Sequence, residues 1–199
     1  VLYSLGNDLA KDTLISMASQ TKHRGPDNLG FWYDSEYGVG FAHNRLSILD
    51  LSPSANQPMI SSSGRYSIVY NGEVYNSPAL RLELEMAGKA PVWRGHSDTE
   101  VLLAAIEAWG LENALPKLIG MFAFALWDRQ KRTLRLVRDR MGIKPVYYGC
   151  CGNTFLFGSE LKAFQAHPDF NSIIDRDALA LFFRYNYIPA PHTVYQGIY

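Results

Sequence analysis

Two runs in this chain are apolar on nearly every consecutive position: Tyr66 to Tyr70 (Y-S-I-V-Y) and Met121 to Trp127 (M-F-A-F-A-L-W). Successive side chains of a strand point to opposite faces, so a strand that is apolar on both faces needs cover on both. A single sheet with one wet face is therefore excluded. The expectation is two sheets stacked face to face with helices outside, an α+β fold.

The rest of the chain supplies the pieces. Asp12 is placed to cap a short helix carrying Leu14, Met17 and Ala18 on one face, and Gly25-Pro26 must break whatever precedes it. Gly30–Tyr33 and Val39–Ala42 read as strands around a turn at 34–36, and Val1–Tyr3 as the end of another strand. Arg45 to Asp50 alternates polar with apolar, as an exposed edge strand or an extended segment does. Leu80, Leu84 and Ala87 have helical spacing. Ser97-Asp98-Thr99-Glu100 is a capping-box pattern ahead of the apolar helix 101–109. A helix over 111–119, a hairpin of 121–127 with 133–137, strands at 147–148 and 154–157, and helices starting near Ser159 or Glu160 and at Asp175 complete the reading.

Composition limits the partners. With 19 Lys+Arg against 19 Asp+Glu, the formal net charge is zero. That argues against nucleic acid or an anionic membrane as the main partner. No run approaches the ~18 apolar residues of a membrane span, and no signal peptide is visible. The two cysteines, Cys150 and Cys151, are adjacent, which suits a reducing cytosol and makes a Cys-based zinc site improbable. The five histidines show no paired helical spacing, so no metal site is expected, and they read as surface or turn residues. Met121, Phe122, Phe124 and Trp127 read as core.

The chemistry concentrates around Asn71-Gly72, inside Tyr66–Asn76 (Y-S-I-V-Y-N-G-E-V-Y-N). Asn-Gly is a strong hairpin-turn signal. It is also a way for a strand to bring an Asn amide and an unhindered Gly N–H to one spot, and two such donors make an oxyanion hole. Arg45 reads either as a solvated edge-strand charge or as a fork for a carboxylate. Asp98 reads either as a helix-dipole residue or as a grip on an ammonium. Together an Arg, an Asp and the Asn-Gly pair would hold a free amino acid by its carboxylate, amine and side-chain carbonyl.

Seven motifs carry a resemblance: H-R-G-P-D (23–27), R-L-S-I-L-D (45–50), N-G-E-V-Y-N (71–76), S-D-T-E (97–100), G-M-F-A-F-A-L-W-D (120–128), R-D-R-M-G-I-K-P-V-Y-Y (138–148) and G-S-E-L-K-A (158–163). In this order they resemble the glutaminase domain of glutamine-hydrolysing asparagine synthetases, class II glutamine amidotransferases of the N-terminal-nucleophile hydrolase type. The resemblance implies a four-layer αββα sandwich of mainly antiparallel sheets that hydrolyses the glutamine side-chain amide to glutamate and ammonia. It implies that Asn71 and Gly72 form the oxyanion hole, that Arg45 takes the α-carboxylate with Leu46, Ser47, Ile48 and Leu49 lining the pocket, and that Glu73 and Asp98 take the amine. Arg24, Arg138, Asp139 and Arg140 are assigned to scaffold and domain contacts.

The resemblance also implies a domain division. Residues 1–183 would be the amidotransferase domain with its nucleophile strand cropped, and 184–199 a linker and the start of an absent synthetase domain. That domain would use ATP and Mg²⁺ to activate aspartate for ammonia; this chain has no pyrophosphate loop and should hold no cofactor. The expected partners are glutamine and the synthetase domain, with a homodimer possible, in the cytoplasm. The family's nucleophile is a cysteine at the mature N-terminus, and none stands there. Cys150 and Cys151, read as part of a hairpin turn, carry no terminal amine, so the chain itself is expected not to hydrolyse glutamine. The alternatives are an amidotransferase for another carboxylate acceptor, a non-catalytic glutamine-binding module, and a purely structural α+β domain in which Arg45, Asn71, Gly72 and Asp98 lie apart.

Overall fold

A computed structural model describes residues 2–3, 9–47, 50 and 52–199, with backbone alone for 2, 3, 9 and 10. In chain order the elements are β1 (Leu2–Tyr3), α1 (Leu9–Ser19), β2 (Asn28–Asp34), β3 (Val39–Arg45), β4 (Met59–Ile60), β5 (Tyr66–Val74), α2 (Ser77–Met86), α3 (Asp98–Trp109), α4 (Leu111–Ala114), β6 (Gly120–Asp128), β7 (Thr133–Arg138), β8 (Tyr147–Cys151), β9 (Thr154–Gly158), α5 (Leu161–Gln165) and α6 (Arg176–Tyr185). They form a five-stranded sheet ordered β2-β3-β1-β9-β8 and a four-stranded sheet ordered β4-β5-β6-β7. The β1–β3, β1–β9, β8–β9, β4–β5, β5–β6 and β6–β7 pairings are antiparallel.

The chain divides into two compact units: Val1–His23, Tyr33–Gly40 and Val146–Tyr199 in one, Arg24–Trp32 and Phe41–Pro145 in the other. In the first unit, α1 buries Leu14, Met17 and Ala18, as the spacing predicts. The helix begins earlier than expected, and Asp12 stands in its first turn, not at its cap. Asp175 caps α6 by accepting from Asp177 N and Ala178 N. The predicted domain boundary at 183/184 falls within α6. Beyond it the chain runs back over the unit: Tyr148 and Tyr199 exchange both backbone hydrogen bonds, and Gln196 N donates to Ile173 O. Cys150 and Cys151 are not in the turn; they are the last two residues of β8, opposite Phe155 and Thr154.

The second unit holds the four-stranded sheet. All nine residues of β5 pair in register with β6, from Tyr66↔Asp128 to Val74↔Gly120. Even-numbered residues Tyr66, Ile68, Tyr70, Val74, Phe122, Phe124 and Leu126 form one apolar cluster with Leu80 and Leu84 of α2 and the buried face of α3. Val69, Ala123, Ala125 and Trp127, on the opposite face, are buried too. Burial on both faces is what the uninterrupted apolar runs demanded.

This register corrects the turn reading of Asn71-Gly72. The pair lies inside β5, opposite Ala123 and Phe122. A local turn preference is worth little against nine cross-strand pairs buried on both faces. The helix expected over 111–119 is also broken: α4 ends at Ala114 and a 3₁₀ turn follows at Leu115–Lys117, where Pro116 has no N–H to continue an α-helix. Ser97 does cap α3, accepting from Glu100 N at 3.3 Å.

Candidate active site

The site is built on one edge of β5. In an antiparallel ladder, alternate residues turn both N–H and C=O toward the partner strand. Arg129 N donates to Arg65 O and Tyr75 N to Ile119 O, so the odd-numbered residues of this stretch face β6. Tyr70, Gly72 and Val74 therefore direct their backbone groups to the opposite edge. β4 pairs that edge only at Ser67 and Ile68.

Side chains take over where β4 stops. Gln57 Oε1 accepts from Tyr70 N at 2.6 Å. His43 Nε2 lies 3.1 Å from Tyr70 O and must carry the proton, because a carbonyl can only accept. Asp98 Oδ2 accepts from Val74 N at 2.9 Å and from the Tyr70 hydroxyl at 2.6 Å. Between these, the Gly72 N–H points to the uncovered part of the edge. The adjacent Asn71 Nδ2 is buried and has no hydrogen-bond partner among the described residues. An unmet buried amide donor costs free energy, which makes it a site waiting for an acceptor. Gly72 must be glycine here: a Cβ would lie 2.6 Å from Phe122 Cα and closer still to the Met121 carbonyl.

Arg45 is buried, not a solvated edge charge, and ends β3. Its Nη1 donates to Ser52 O at 2.9 Å and to Asn56 Oδ1 at 2.7 Å, and its Nη2 to Asp50 O. Nε–H and one Nη2 hydrogen have no partner among the described residues, enough for one carboxylate fork. Leu46 is exposed, and Ser47 N donates to Asp27 Oδ2 at 2.8 Å. Ile48 and Leu49 lie outside the described residues. The Glu73 side chain, half-buried on β5, makes no hydrogen bond or ion pair among the described residues. The structure thus joins the arms of the expected site through hydrogen bonds: β3 reaches Tyr70 through His43, and α3 reaches Tyr70 and Val74 through Asp98.

The electrostatics follow from burial. Desolvation lowers the His43 pKa to about 4, against the hydrogen bond to Tyr70 O, with Arg45 adding to the lowering. The imidazole is therefore neutral near pH 7, and its buried Nδ1 is an acceptor without a partner among the described residues. Burial, and then the Asp98 carboxylate, push the Tyr70 phenol far above its ordinary range, so it remains a donor. His43, half-buried on β3, corrects the expectation that all five histidines are surface or turn residues; His167 is buried but does lie in the turn after α5. The place of His43 was invisible because nothing in the spacing of a lone histidine records what packs on it.

Sequence reasoning missed four residues that shape this site: His43, Gln57, Tyr70 and Asp27. Tyr70 and Gln57 had no chemical signature beyond strand and loop. Asp27 sat in a noticed motif, H-R-G-P-D, and proves to hold the segment after Arg45: besides the Ser47 bond, Asp27 N donates to Arg45 O at 3.1 Å.

Comparison with known proteins bears on family and fold. A family model described as a glutamine amidotransferase domain matches residues 2–199. The chain is 40% identical over 191 residues to asparagine synthetase [glutamine-hydrolyzing] 3 of Bacillus subtilis, covering 94% of this chain and 30% of that protein. It is 34% identical over 212 residues to a putative asparagine synthetase [glutamine-hydrolyzing] 2 of Methanocaldococcus jannaschii, covering 98% of this chain and 40% of that protein. The chain thus spans well under half the length of these relatives. Among solved structures, the glutamine phosphoribosylpyrophosphate amidotransferase of B. subtilis superposes with a TM-score of 0.65 at 21% identity, over 78% of this chain and 40% of that one. That likeness shows the fold, and the two antiparallel sheets with their helices fit the αββα sandwich. The chain belongs to the glutamine amidotransferase domain family.

Proposed function

We propose that this chain is the glutamine-hydrolysing domain of an asparagine synthetase, releasing ammonia for ATP-dependent amidation of aspartate. The observation that carries the reading is Asn71 Nδ2, buried and without a hydrogen-bond partner among the described residues, next to the Gly72 N–H on the strand edge where Tyr70 N and Val74 N are already bonded. A glutamine side-chain carbonyl there gains negative charge as its carbon becomes tetrahedral, and the two donors meet that charge. One such donor is worth about 3–4 kcal/mol in comparable acyl transfers. Arg45 takes the α-carboxylate on its remaining N–H pair. Asp98 Oδ1, which has no partner among the described residues, and Glu73 take the ammonium.

Neutral His43 and the Tyr70 hydroxyl hold the strand and the Asp98 carboxylate in place and move no proton. The nucleophile implied by the family is a cysteine outside residues 1–199, so the polypeptide of these residues binds glutamine without turning it over. ATP and Mg²⁺ belong to the synthetase part of the relatives' length, and no step here runs through them. The partners in this reading are glutamine, that synthetase part and a possible second copy, in the cytoplasm.

The test is ammonia release from glutamine by the full-length gene product, with its mature N-terminus read by mass. Turnover by a product beginning with cysteine, cut about 10²-fold in kcat by Asn71→Ala, supports the reading. A product that neither binds nor hydrolyses glutamine refutes it.

A further inference from the structure

The segment 94–97 delivers Asp98 to the start of α3. Its first three N–H groups all end on carboxylates. Arg94 N donates to Glu100 Oε1 at 2.8 Å and Gly95 N to Glu100 Oε2 at 3.1 Å. His96 N donates to Asp50 Oδ2 at 2.9 Å. Glu100 belongs to α3, so its bonds only fold the segment onto its own helix. Asp50 comes from the other arm of the site.

Asp50 is tied on that side as well. Its Oδ1 accepts from Ser52 N at 2.8 Å, and its main-chain oxygen accepts from Arg45 Nη2. A Cβ on Gly95 would lie 2.7 Å from Asp50 Oδ2 and 2.5 Å from Ser54 Oγ, so the two segments approach as closely as they do only because residue 95 is glycine. The hydrogen bonds from Ser52 and His96 hold the carboxyl down to about 2, so it is charged at any working pH.

We infer that Asp50 is a positioning residue that locks the Arg45 arm to the Asp98 arm, so that the carboxylate and the ammonium of a free α-amino acid are recognised together. The inference rests on the proposed function and adds what makes the site selective. A ligand using both arms benefits from their fixed separation, because neither arm must be ordered at the moment of binding. A ligand using one arm gains nothing from the lock. Loss of Asp50 therefore weakens glutamine specifically and leaves one-armed ligands as they were.

Calorimetric titration of the 199-residue chain tests this with three probes: L-glutamine, glutaramic acid (no amine) and 4-aminobutanamide (no carboxylate), the weak ones read by competition. For Asp50→Asn the expected result is a loss of about tenfold in glutamine affinity, with both analogues within about threefold of the unsubstituted chain. Gly95→Ala, which forces the two segments apart without touching any charge, should give the same pattern and stands in if the Asn variant does not fold. Equal weakening of all three probes would mean a merely structural residue, and unchanged glutamine affinity would mean no lock; either overturns the inference alone. A chain without substitutions that fails to bind glutamine overturns the functional reading, and this inference with it.

Discussion

Two polar regions flank the β5–β6 pair, and they are finished differently. At one, Asp139 accepts from Phe122 N, Met141 N, Ile143 N and Lys144 N at 2.9–3.2 Å. Arg138 closes the same loop by donating to the Lys144 and Gly142 carbonyls. At the other, Gln57, His43 and Asp98 cover part of the β5 edge and leave Gly72 N–H and Asn71 Nδ2 open. As strings of letters the two motifs, R-D-R-M-G-I-K and N-G-E-V-Y-N, look equally functional. The difference is one of saturation. A polar residue whose capacity is consumed inside the fold holds the fold; one left short in a buried place is held ready for something else.

Breaking the saturated side should give the largest effect. Asp139→Ala strands four backbone donors and should cost about 3–5 kcal/mol of stability by chemical denaturation. Glutamine affinity per folded molecule should not change; if it does, the two regions are not separable. Burial alone would raise the Asp139 pKa, but the hydrogen bonds from Lys144, Ile143, Phe122 and Met141 N–H outweigh it and leave it lowered. Its contribution is accordingly complete above the unfolded carboxyl's pKa, about 3.9, and is lost as pH falls through the lower folded value.

His43 sharpens the comparison by titration. Its folded pKa of about 4 lies below the ordinary 6.5. Between those values the unfolded chain takes up a proton that the folded chain refuses, so stability must fall as the solution is acidified across that window. The ceiling is about 3 kcal/mol. Denaturation midpoints at neutral pH and near pH 4.5 would show it, and His43→Gln, which keeps a donor for Tyr70 O, should flatten the profile. A profile equally steep in that variant would place the titrating group elsewhere.

The smallest effect belongs to the open side. Asn71→Ala removes a donor that bonds to nothing among the described residues, so its cost in stability should stay under about 1 kcal/mol, even as turnover in the full-length protein collapses. A melting temperature far below that of the unsubstituted chain would mean that the amide is structural after all.

The strands of the core were legible because both-face burial leaves an uninterrupted apolar run, and the α3 cap because Ser97-x-x-Glu100 is a local device. The site was legible only in its residue types. Whether Asn71-Gly72 turns the chain or lies in a strand depends on the β6 register, some fifty residues away. The bonds that finish the edge join residues 13, 27 and 24 positions apart, and the Asp50–His96 tie spans 46. No periodicity records such ties, because each exists only once the sheet and α3 have packed. Glu100 is a case in point: the capping pattern predicts that its side chain returns to the Ser97 backbone, but it reaches the Arg94 and Gly95 N–H groups, which only the tertiary path of that segment brings near.

The shortness of β4 has a consequence of its own. Continued in its register, the strand would set residue 57 opposite Tyr70 and residue 55 opposite Gly72. In place of those rungs, Pro53–Ala55 curl into a 3₁₀ turn. Two further rungs would seal the seam with backbone and leave no room for a foreign carbonyl. An open seam in a sheet ordinarily invites a strand from another molecule; here three side chains narrow the invitation to something the length of an amide. Lengthening β4 would turn the domain into a better sheet and a useless one.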